Sequence, residues 1–153
     1  MTLPRTEAAG PIRTALPRWF LAFAGFGILW NIYGVVQFVS VVGKTEAHFR
    51  SMGMSAAQAS LYAQLPFWMH AAFAIGVFGG LLGSAMLMLR RREALPVLVV
   101  SLVAYLVLYA GDIALGIFAA FGAVQVAILT LVVAIAAGLS ALALWATRRN
   151  LLA

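Results

Sequence analysis

Four long apolar runs, at residues 19–42, 66–89, 95–118 and 123–146, dominate the chain, and polar positions inside them are few. There is neither the alternation of a half-buried strand nor the single apolar stripe of a soluble helix. Each run exceeds the ~20 residues needed to cross a hydrocarbon core of about 30 Å. The pattern predicts an all-α integral membrane domain over 19–146, a four-helix bundle, flanked by segments 1–18 and 147–153. Pro17, Pro66 and Pro96 fall at the starts of runs and none falls inside; a proline in a first turn removes no helical hydrogen bond. Trp19, Trp68 and Trp145 fall near run ends, where indole prefers the interface, and Trp30 falls mid-run. The first run is too long for a signal-peptide core and reads as a retained helix.

The connections differ. Residues 43–65 contain Ser55-x-x-Gln58, the form of a capping box, followed by an Ala-rich segment that favours helix. A short interfacial helix is expected there, with Met52, Met54, Leu61 and Tyr62 lying on the membrane or capping the bundle. Runs three and four are separated only by residues 116–122, where a tight turn is expected because one helix of that length could not stay in the bilayer.

Charge orients these spans. Arg5, Arg13 and Arg18 precede the first run, Arg90, Arg91 and Arg92 follow the second, and Arg148 and Arg149 follow the fourth; only Lys44 and Arg50 lie in the loop between the first and second. The positive-inside bias therefore predicts both termini on the cytoplasmic face. In a soluble protein a net charge of +6 would point to nucleic acid. Here the charges sit at span ends, where topology and anionic headgroups explain them, and no nucleic-acid partner is implied. A composition 65% hydrophobic and 9% charged leaves no room for a soluble domain, and the lack of cysteine excludes disulfides and thiol chemistry.

Small residues recur every fourth position in span two, at Ala72, Gly76, Gly80 and Ser84, which places them on one helix-packing face. Span four offers Ala134, Gly138 and Ala137, Ala141 in the same style. Such faces pack either within the chain or against another subunit.

Polar side chains within spans are costly and ask for partners. Asp112 lies sixteen residues beyond Pro96, about 24 Å along a helix, in the outer third of the membrane. His70, Gln37 and Gln125 reach a similar depth, so the four predict one outer-leaflet polar cluster, with Asp112 paired to His70, Lys44 or Arg50. Asn31 reads as interhelical polar glue. A metal set of Glu46, His48, His70 and Asp112 is a weak pattern, and no metal or resident cofactor is assigned. A pigment held by His70, or another small-molecule ligand, stays open. Ser84 and Ser101 lie too far from His70 for nucleophilic catalysis, and the chain reads as a non-enzyme.

Residues 29–34 (LWNIYG), 65–68 (LPFW) and 74–84 (AIGVFGGLLGS), with Arg90–Arg91–Arg92 and Ser101, resemble a family of small four-helix bacterial inner-membrane proteins often labelled sugar transporters. The similarity covers about residues 19–101; beyond it only the hydrophobic pattern matches. It implies the fold, the topology and a multi-pass location in the bacterial inner membrane, and supplies no site residues. Two functions follow as expectations. The favoured one is a non-catalytic accessory or packing subunit, beside a larger membrane complex or in a homo-oligomer. The alternative is an oligomeric transporter of a small solute, a sugar or a proton-coupled one, with Asp112 as coupling acid.

Overall fold

A computed structural model describes residues 17–152 of the chain; Arg5 and Arg13, like most of segment 1–18, lie outside the described residues. Every regular element among them is helical: α1 (Arg18–Val41), α2 (Glu46–Ser51), α3 (Ala56–Ala63), α4 (Phe67–Met88), α5 (Ala94–Ala114), α6 (Ile117–Phe121) and α7 (Ala123–Arg148). Helices α1, α4, α5 and α7 are long and apolar enough to cross a membrane. Their outward side chains fit lipid and would be a liability in water: Phe67 is 85% exposed, Leu29 and Val124 70% each.

Local chemistry sets the boundaries. Pro17 and Pro66 stand just before α1 and α4 with extended ψ of 140° and 151°, and Pro96 falls in the first turn of α5. The capping box forms: the Gln58 amide N–H donates to Ser55 Oγ at 3.3 Å, and the Ser55 amide donates to Gln58 Oε1 at 3.1 Å. The third run stops at Ala114, four residues short of the expected end. Gly116 (φ 74°) and Gly122 (φ 71°) both take the left-handed side of φ, and five helical residues stand between them. The expected tight turn is thus a short helix bracketed by two glycines, because only glycine enters that region without a Cβ penalty.

Helix α4 packs most extensively on α5 and next on α1; α7 packs on α5 and touches α1 and α4 lightly. The small-residue face of α4 is what brings its neighbours close. The Gly76 Cα lies under the Tyr105 ring, Gly80 lies against the Asn31 amide, and Ser84 meets α1 at Gly27. Ser101 Oγ donates to the Gly76 carbonyl at 2.6 Å, a hydrogen bond between α5 and α4. Asn31 donates at 2.7 Å to the Gly27 carbonyl of its own helix, so its contact with α4 is one of packing while its hydrogen bond stays within α1.

The two ends differ. The basic end, with Arg90, Arg91, Arg92 and Arg148, is densely filled by Phe20, Ala24, Leu87, Leu98, Ala143 and Ala146. There α4 and α7 stop alike, with Arg90 (φ 58°) and Asn150 (φ 53°) left-handed. The following amides return to the last turn, Arg91 N–H to Met86 O at 2.8 Å and Leu151 N–H to Ala146 O at 3.0 Å, which satisfies carbonyls a helix end otherwise leaves open. Arg92 Nε donates to Leu152 O at 3.2 Å and ties the two ends together. The loop end carries α2, α3 and α6, and is not filled in the same way.

Candidate functional site

At the loop end a cavity of about 260 Å³ is lined by all four long helices, with Phe49 of α2 and Tyr62 of α3 over it. Each long helix supplies a stripe at helical spacing. From α1 come Trp30, Tyr33, Gly34, Gln37 and Val41; from α4, Met69, His70, Phe73 and Val77. Helix α5 gives Tyr105, Leu108 and Asp112, and α7 gives Gln125, Ile128, Leu129 and Val132. Phe49 and Tyr62 close the top, their rings 5.6 Å apart. Tyr33 and Ile128, 57% and 54% exposed, flank the side mouth.

The polar residues concentrate near the roof. Asp112 is buried, and Gln125 Nε2 donates to its Oδ2 at 3.1 Å. Burial pushes the Tyr62 phenol up to about 12, the Asp112 charge adds to the rise, and the polar side chain of Gln125 opposes it. His70 is half-buried in the α4 wall and Gln37 is exposed at the α1 rim.

Asp112, His70, Gln37 and Gln125 therefore line one cavity, but the ionic pairing expected of Asp112 does not form. Its partner is the neutral Gln125, which faces it across the α5–α7 contact. Arg50 turns instead to Glu46, one helical turn back on α2, at 2.9 Å, and no ion pair joins Asp112 to His70 or Lys44 among the described residues. Among the described residues no lysine or arginine lines the cavity. Nor do three histidine, aspartate or glutamate side chains gather as a metal site among the described residues.

The aromatic wall is what the sequence reading missed. The sequence marks Trp30 only as the tryptophan buried within a span and Tyr62 only as a surface or capping residue, whereas Trp30 is half-buried and both line the cavity. The signal was present: Trp30, Tyr33 and Gln37 are spaced by three and four, and Tyr105 precedes Asp112 by seven, two turns along one face. What the sequence could not show is that these faces of separate helices line one cavity.

The roof is tied down by both loops. Gln58 Nε2 donates to the Ala120 carbonyl at 2.9 Å, and the Tyr62 and Phe121 rings lie 4.8 Å apart. One residue thus caps α3 and fastens it to α6. No family model, curated protein or solved structure matches the chain.

Proposed function

We propose that the chain is a non-catalytic four-helix bundle of the bacterial inner membrane, both termini cytoplasmic, that binds a small amphipathic solute in its outer half. The observation that carries this reading is the cavity: mainly apolar and aromatic, with convergent polar groups at one end, it has the make-up of a small-molecule site. The basic cluster at the opposite end, by the positive-inside bias, supports placing the loop end outside. Transport with Asp112 as the acid exchanging a proton for solute belongs to the same reading. It requires the filled basic end to open in a second arrangement of the helices.

The accessory-subunit reading keeps one observation in its favour. The small residues of α4 are buried within the chain, but Gly138 of α7 has open space where a Cβ would stand, in an exposed groove with Ala134, Ala141, Trp19 and Phe23. That row suits a helix from another subunit or a second copy. Purification in gentle detergent, followed by absorption spectroscopy and mass spectrometry of an organic extract, separates the readings. A stoichiometric small molecule displaced by Ile128→Trp is expected. Stoichiometric larger subunits with an empty cavity would overturn solute binding in favour of the accessory role.

A further inference from the structure

We propose that the solute is a small organic cation with an apolar or aromatic body, held by Asp112 and the aromatic wall. The inference rests on the solute-binding reading and specifies its chemistry. An ionisable side chain within a membrane span ordinarily faces a cavity or pairs with another polar group. Among the described residues Asp112 has no ion-pair partner: Gln125 contacts Oδ2 alone, and the second oxygen makes no hydrogen bond to a described residue while the carboxyl lines the cavity. A carboxyl so placed draws its counter-charge from whatever fills the space.

The rest of the cavity fits the same ligand. Trp30, Tyr33, Phe73 and Tyr105 line it from three different helices, and ring faces attract an alkylammonium within about 6 Å of their centroids. Trp30 and Tyr33 stand side by side, centroids 6.2 Å apart, at the mouth. Away from the roof Val77, Leu108, Leu129 and Val132 line the cavity beside Trp30 and Tyr105, so an apolar or aromatic body is accommodated and a strongly hydrated ion is not. An anion would meet the Asp112 carboxylate with no lysine or arginine among the described lining residues to offset it. The volume, about 260 Å³, is near the lower end of small-molecule sites and suits a small organic body better than a bare ion.

The test uses the whole chain in nanodiscs of zwitterionic lipid, where a cation gains nothing from anionic headgroups. Saturable binding of benzyltrimethylammonium is measured by equilibrium dialysis beside neopentylbenzene, its uncharged isostere. The expected result is preference for the cation by about tenfold or more, lost in Asp112→Asn, with neopentylbenzene binding unchanged by that variant. Tyr33→Leu, at an exposed position that packing does not fix, should weaken the cation severalfold and serves if Asp112→Asn melts early. Equal binding of both probes, in wild type and Asp112→Asn alike, would overturn the cation assignment and leave solute binding standing. Binding of neither probe, with no small molecule in the organic extract, would overturn both.

Discussion

Gln125 on α7 donates to Asp112 on α5 at 3.1 Å, so the one carboxylate within the spans is held by an uncharged partner. Removing that donor leaves a buried carboxyl unsatisfied, whereas removing both groups leaves an apolar contact. Gln125→Leu is expected to destabilise the protein by about 1–3 kcal/mol. The double variant Asp112→Leu/Gln125→Leu should lose clearly less than the sum of the single changes. Thermal unfolding in detergent across the four proteins measures this coupling; simple additivity would refute it.

Glycines on different helices should respond in opposite ways. A Cβ at Gly76 would stand 2.7 Å from the Tyr105 ring, while one at Gly138 meets nothing within 4 Å. Gly76→Ala is therefore expected to cost about 1–3 kcal/mol through overpacking. Gly138→Ala should leave the isolated protein as stable or slightly more so, since alanine favours helix. Melting temperatures of the two variants decide the point, and loss of an oligomer in Gly138→Ala would reveal a partner at that groove.

Two serines pack deep in the core with opposite consequences. Ser101 donates to the Gly76 carbonyl at 2.6 Å, while Ser84 Oγ is buried without a hydrogen-bond partner among the described residues. Ser101→Ala should destabilise by about 0.6–1.7 kcal/mol, the range for polar contacts between membrane helices. Ser84→Ala should be neutral or stabilising, because it removes a group that gains nothing from burial. Equal losses at both sites would show that Ser84 has a partner.

The roof should loosen in strong alkali. The Tyr62 phenol ionises at about 12 in the folded protein against 10.0 for the free group. Its folded-state value is the higher, so the folded form retains the proton longer. The contribution is fully present below pH 10 and is lost as pH rises through about 12. Ultraviolet titration of phenolate should show one tyrosine in this range that vanishes in Tyr62→Phe, and the variant's stability should fall less steeply there. Ionisation of that tyrosine near 10 would contradict its burial beside Asp112.

Much of this arrangement was legible because in a membrane span length and apolar character are nearly the whole signal. The four long apolar helices, the Ser55–Gln58 cap and the meeting of Asp112, His70, Gln37 and Gln125 at one cavity follow from counting along the chain. The third helix ended early because the left-handed conformation at Gly116 leaves no mark in a hydropathy profile. The partner of Asp112 was misjudged for a related reason. Charge complementarity offers His70, Lys44 or Arg50, but Arg50 has Glu46 one turn away on its own helix, and Asp112 meets the neutral Gln125 instead. The cavity itself is lined by four helices together, an arrangement that no one span encodes.

Gly116 and Gly122 touch nothing where a side chain would be, and yet both backbones sit at φ above 70°. A map of contacts would mark these positions as free to vary. The chain's own stereochemistry says otherwise, since an L-residue there carries a penalty of about 1 kcal/mol or more however empty the surroundings. Natural variation at these two sites would thus be governed by torsion instead of neighbours, and among related chains they would stand as fixed points on an otherwise permissive surface.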